Sequence, residues 1–73
     1  MARVQDRQQF AANLRRQRLR RGLSQEALGN AAGLHRTEIS LLERAGRDPR
    51  LSTITRLARA LEIKAATLLN DIH

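Results

Sequence analysis

The sequence predicts an all-α domain of five short helices, and three features predict it. The chain has 73 residues and no Cys, apolar residues recur at helical spacing in successive short segments, and Gly22, Gly33 and Pro49 fall at the breaks between them. At this length the chain holds one domain, 1–73, with 1–6 expected as a flexible arm. Such a domain hides only about 60% of its unfolded surface. Without disulfide staples or thiolate zinc sites, its stability must come from a compact helical core or a partner subunit.

Helix 1 is expected from about Arg7 to Arg20. Its inward row is Phe10, Leu14 and Arg18 at four-residue spacing, and Gly22 is placed to end it in a left-handed conformation. An arginine on an apolar row needs an acidic partner. Ser24 is a good N-cap for helix 2, which turns Ala27, Leu28 and Ala31 inward and stops at Gly33, where a positive φ costs little. Helix 3, from about Arg36 to Arg44, turns Ile39, Leu42 and Glu43 inward, so Glu43 is the expected buried partner of Arg18. After the polar loop Ala45 to Arg50, helix 4 is expected to be capped by Ser52, with Ile54, Leu57, Ala58 and Leu61 in an unbroken i, i+3, i+4, i+7 pattern. A last helix, about Ala65 to Asp71, offers Leu68, Leu69 and Ile72. That is more apolar surface than a short terminal segment easily hides, and these three residues are the expected dimer contacts.

Fourteen basic residues against seven acidic give a formal charge of +7, which attracts a polyanion and raises encounter rates with it. The single aromatic residue, Phe10, sits on the inward row. Single-strand binders stack bases on exposed rings, so duplex DNA fits this composition better than single-stranded nucleic acid. No apolar run approaches the roughly 20 residues needed to cross a bilayer, and the segment Met1 to Asp6 lacks the apolar stretch of a secretory signal. With no Cys, a reducing cytoplasmic interior is the expected compartment. The sequence holds no paired carboxylates, metal cluster, phosphate loop or nucleophile constellation, so neither an enzyme nor a cofactor is expected.

Between Ser24 and Arg44 the spacing is that of a helix-turn-helix. Gly29 in mid-helix costs about 1 kcal/mol of helix propensity relative to Ala, which makes sense where two helices approach closely at a steep angle. Leu28, Leu34, Ile39 and Leu42 lock the two helices from beneath. The outer face of helix 3 is then Thr37, Leu41 and Arg44, flanked by Arg36, Glu38 and Ser40.

Three motifs, L-S-Q-E-A-L at Leu23 to Leu28, G-L-H-R-T-E-I-S at Gly33 to Ser40 and L-E-R-x-G-R-D-P at Leu42 to Pro49, together resemble the Cro/C1-type (Xre) helix-turn-helix family over about Leu14 to Leu69. The stretch H-R-T-E-I-S is also similar to the controller proteins of restriction-modification systems, small dimers of about this length. The resemblance implies a compact five-helix lambda-repressor-like DNA-binding domain. It further implies a transcription regulator that binds double-stranded DNA as a homodimer, on half-sites about one helical turn, roughly 34 Å, apart. By the same resemblance Arg36 and Thr37 match the principal base-reading positions, with Glu38, Ser40 and Leu41 beside them; an Arg at the start of helix 3 suits guanine O6 and N7. Gln25 matches a residue that contacts the DNA backbone and braces a recognition side chain. Arg44 and Arg47 match phosphate-holding positions, with Ser24 and His35 flanking them, and Arg18 and Glu43 match the family's internal salt bridge. Departures from the family pattern are Ala45 and Glu62, where glycines are usual, Lys64 in place of a small N-cap, and Leu41 where a polar residue is common.

Simpler readings stand beside several of these. Glu38 could accept from cytosine N4, yet an acid in a first helical turn is stabilised by the helix dipole without DNA. Leu41 either meets a thymine methyl or packs against helix 2. His35 is a poor cap or a phosphate neighbour rather than a metal ligand, since no second His or Cys lies at ligand spacing. Arg15, Arg16, Arg20 and Arg21 either track a phosphate strand or form a solvated face. At the level of function, the alternatives to a sequence-specific regulator are a charge-driven nucleoid binder and an antitoxin-type interaction module; a toxin or RNA polymerase would be the protein partner.

Overall fold

The computed structural model describes residues 2–73, and Met1 lies outside the described residues. Its five helices are α1 (Val4–Arg20), α2 (Gln25–Ala32), α3 (Arg36–Glu43), α4 (Leu51–Leu61) and α5 (Ala65–Leu68), and no described residue is in a strand. None of the helices is long and apolar enough to cross a membrane. The chain packs α3 against α1 and α2, α4 against α2 and α5, and α5 back on α1. Leu14, Leu28, Ile39, Leu42, Leu57, Leu61 and Leu68 meet at the centre and are fully buried.

α1 begins at Val4, so part of the segment expected as an arm is its first turn. Asp6 sits in that turn and Arg18 and Arg20 in the last, both favourable to the helix dipole. Phe10, Leu14 and Arg18 are buried as one row. The row also contains Asn13, which the apolar pattern overlooked. Its amide nitrogen donates to the carbonyls of Leu68 at 3.0 Å and Asn70 at 2.8 Å, and its oxygen accepts from Gln9 Nε2 at 2.9 Å. A buried amide with its hydrogen bonds made is tolerated in a core where an unpaired one is not. The signal was present in the sequence, because Asn13 lies three residues after Phe10 and so on the same face.

Ser24 caps α2, its Oγ accepting from the Ala27 amide at 2.9 Å, and Gly33 ends the helix at φ 70°. The inward side of α2 is Leu28, Gly29 and Ala32. Ala31, expected inside, is exposed because the buried stripe follows the close contact at Gly29 rather than the alanine spacing. A Cβ built on Gly29 would stand 2.6 Å from the Leu34 carbonyl oxygen and 3.3 Å from the Arg36 nitrogen. Only glycine lets α2 meet the turn and the start of α3 at this distance.

α4 starts one residue before the expected cap, at Leu51, and Arg50 in front of it supplies no side-chain cap. The core row Ile54, Leu57, Ala58 and Leu61 fixes the helix phase and all four are buried, joined by Thr53. α5 is a single turn ending at Leu68, followed by turn residues rather than a helix reaching Asp71. Leu68 is fully buried in the core and is therefore not a dimer contact, contrary to the sequence expectation. Its neighbours are less enclosed: Leu69 is 40% exposed, and Ile72 is half-buried against the core.

Both helix ends where a glycine is replaced are left-handed all the same, with Ala45 at φ 58° and Glu62 at φ 56°. A side chain there costs roughly 1–2 kcal/mol, against about 0.5–1 kcal/mol of extra chain entropy for glycine. Ala45→Gly is expected to stabilise the domain by up to about 1 kcal/mol, read as a rise of several degrees in the thermal midpoint. An unchanged or lower midpoint would mean that the turn is not held left-handed in solution.

Candidate nucleic-acid interface

Two helices cross here with their shared apolar side down, and the first turn of α3 is left standing in solvent. Arg36 and Thr37 are exposed, and Ser40 and Leu41 are half-buried. Arg36, Thr37, Ser40 and Gln25 line a shallow recess of about 170 Å³. His35 closes the turn, its Nδ1 accepting from the Thr37 amide at 3.0 Å, so its side chain caps α3.

Beneath this face lies a buried ion pair. Arg18 Nε donates to Glu43 Oε2 at 2.7 Å and Nη2 to Oε1 at 3.0 Å, a two-point contact whose side chains are 9% and 3% exposed. The remaining edge of the guanidinium donates to the Leu23 carbonyl at 2.7 Å. Each of the three guanidinium nitrogens thus donates to an acceptor at the helix junction. The hydrogen bond to Glu43 raises the Arg18 pKa above its ordinary value, burial opposes that, and the charge of Glu43 adds to it. Gln25 Nε2 donates to the same Glu43 Oε1 at 3.2 Å. The first residue of α2 is thus tied through Glu43 to the last turn of α3 and to α1.

On the other flank a wider groove of about 870 Å³ runs from the start of α3 to the start of α4. Glu38, expected beside the base-reading residues, lines this groove and not the recess of Arg36, and its carboxylate pairs with Arg47 from the loop after α3. Glu38 thereby gives Arg47 a protein partner. Arg44 folds back on its own helix, Nε donating to the Ser40 carbonyl at 3.4 Å. Leu41 is not among the residues packed on the core; one of its methyls stands 3.5 Å from a Cβ built at Gly46. It lies beside the loop after α3.

The groove holds residues that the sequence reading missed. Arg7 Nε donates to Asp48 Oδ1 at 2.5 Å, and the Ala2 amide donates to Oδ2 at 3.1 Å. The Arg7 hydrogen bond, followed by that of Ala2, holds the Asp48 carboxyl below its usual range. Arg50 and Arg56 also line the groove and have no carboxylate partner among the described residues. No helical periodicity marks them, because they stand at a loop end and on the solvent side of α4.

Two helices locked at a tight glycine turn, with Arg36 and Thr37 exposed at the start of the second, define a helix-turn-helix DNA-binding domain of the transcription-regulator class. The helix-turn-helix family HTH_3 matches residues 14–68, and the chain belongs to it. Control protein C.SmaI of Serratia marcescens is 45% identical over 60 residues, covering 82% of this chain and 71% of that protein. The restriction-modification controller protein C.AhdI of Aeromonas hydrophila superimposes with a TM-score of 0.84 at 40% identity, over 86% of this chain and 96% of that one. A hypothetical transcription factor of Neisseria meningitidis is 42% identical over 60 residues, and the matched region spans only 57% of its length. The DNA-binding domain of the P22 c2 repressor superimposes with a TM-score of 0.78 at 26% identity, covering 88% of this chain and 86% of that domain. The fold is thus the lambda-repressor-like arrangement that the motifs predict.

Proposed function

We propose that this chain is a sequence-specific regulator of transcription that binds a two-fold operator as a homodimer. The observation that carries the reading is the recess of Gln25, Arg36, Thr37 and Ser40 at the exposed start of α3. α3 has 8 residues, so it is about 12 Å long, which matches the width of a B-DNA major groove, and its first turn is the part that reaches base edges. Arg36 reads a guanine, Thr37 and Ser40 complete the contact, and Gln25 steadies it from the backbone side through the second proton of its amide. Arg44, Arg50 and Arg56, with the Ser24 and His35 caps, hold the phosphates.

Size argues for two copies. The domain measures 28 × 22 × 20 Å, less than the roughly 34 Å between successive major-groove faces, so one copy reaches one half-site. Leu69 and Ile72 are the proposed contacts between copies. The likeness to two controller proteins supports the control of restriction-modification genes, in the cytoplasm of a bacterium, as the biological setting.

Selection from random duplexes at physiological salt is expected to enrich an inverted repeat; a bound pool without sequence preference would remove this reading. Arg36→Ala is expected to cost about 1 to 3 kcal/mol on the selected operator and to relax one base position per half-site. An equal loss on every duplex would make Arg36 a phosphate contact.

A further inference from the structure

We propose that Glu38 restrains Arg47, so that the loop after α3 offers DNA a closed ion pair in place of a free cation; the inference rests on the DNA-binding reading above. Glu38 stands on fixed backbone, one residue before the fully buried Ile39 and within the turn capped by His35. Arg47 reaches it from the loop that follows left-handed Ala45. The pair is lopsided, with the Glu38 side chain 21% exposed and that of Arg47 53%. The carboxylate is tucked against the protein while the guanidinium carries most of the exposed surface.

The groove therefore contains arginines of two kinds. Arg7 is held by Asp48 and Arg47 by Glu38, whereas Arg50 and Arg56 face no carboxylate among the described residues. A phosphate that approaches Arg47 must displace Glu38 or stand close to its charge. A partly exposed ion pair is weak enough to exchange, so the restraint lowers affinity and salt dependence without reordering the preferred sequences. Charge-driven affinity follows the number of cations that replace counterions, and a cation already neutralised by its own protein does not count toward it.

The test is a double-mutant cycle of Glu38→Gln and Arg47→Ala, with titrations of duplex DNA over a range of salt concentrations. Thermal unfolding of each variant confirms that it is folded. Glu38→Gln is expected to tighten binding roughly fivefold and to steepen the salt dependence by about one released counterion. Arg47→Ala is expected to change the wild-type affinity less than about twofold, and to cost roughly fivefold or more in the Glu38→Gln background. Weaker binding by Glu38→Gln overturns the restraint, because Glu38 would then be contacting DNA or orienting Arg47 towards it. An equal loss from Arg47→Ala in both backgrounds overturns it as well, since the two residues would then act independently. The cycle runs on random as well as selected duplex, so a failure to find an operator removes the proposed function separately. Absence of any duplex binding removes both.

Discussion

Glu43→Ala is expected to lower the stability of the domain by about 3 to 5 kcal/mol, the cost of leaving one member of a buried ion pair without the other. The loss is large because the Arg18 guanidinium stays where it is, with its Nε and Nη2 donors facing the space that the carboxylate filled. It cannot swing into water without abandoning the Leu23 carbonyl and the row it shares with Leu14. For a domain of this size each kcal/mol moves the thermal midpoint by about 4–8 °C, so the variant is expected to melt at least about 12 °C below the wild type. Glu43→Gln keeps an acceptor for Arg18 and is expected to lose less. Replacing both partners with apolar residues of similar volume, Arg18→Met with Glu43→Leu, is expected to recover much of the loss, because no isolated charge remains. A fall of under about 1 kcal/mol for Glu43→Ala would place the pair in the class of solvent-screened surface bridges.

Gly29→Ala is expected to destabilise by about 2 kcal/mol, although alanine is the better helix former by about 1 kcal/mol. The added methyl meets the Leu34 carbonyl, which is backbone and cannot rotate away. It would also push on the bond from the Leu34 amide to the Gly29 carbonyl, 2.8 Å long, which closes the turn. Relief requires α3 to move away from α2, so DNA affinity should fall with stability. Asn30→Ala, at the exposed next position of α2, is the control and is expected to stabilise by about 0.5 kcal/mol. Urea midpoints at unchanged m-value compare the two. The same sign at both positions would mean that the contact at Gly29 relaxes freely.

Much of the architecture was legible because helical periodicity and capping are local. The Phe10, Leu14 and Arg18 row required an acid, and Glu43 on the inward side of helix 3 was the residue placed to meet it. Ser24 marked one end of α2 by its capping hydroxyl, and Gly33 marked the other because it lacks a side chain and takes a positive φ at little cost. The phase of α4 was readable from four apolar residues, but its first residue was not, since Arg50 provides no cap to signal it. Leu68 shows the limit more sharply. A surplus of apolar residues at the chain end looked like a dimer surface, yet one of them fills the core beneath α4, because the single turn of α5 points it inward. Within the interface, the exposed start of α3 was readable from the helix-turn-helix spacing. The pairing of Glu38 with Arg47 and of Arg7 with Asp48 was not, because loop geometry decides which long side chains can meet.

Asn13 links the two ends of the described chain mechanically. Its amide holds the Leu68 and Asn70 carbonyls, so the segment that carries Leu69 and Ile72 cannot loosen without disturbing the middle of α1. A second copy docked on that segment would therefore brace α1 as well, and the melting temperature would rise with protein concentration, as mass action requires when the associated state is the native one. Dilution, by the same linkage, would weaken the fold and the grip on DNA together.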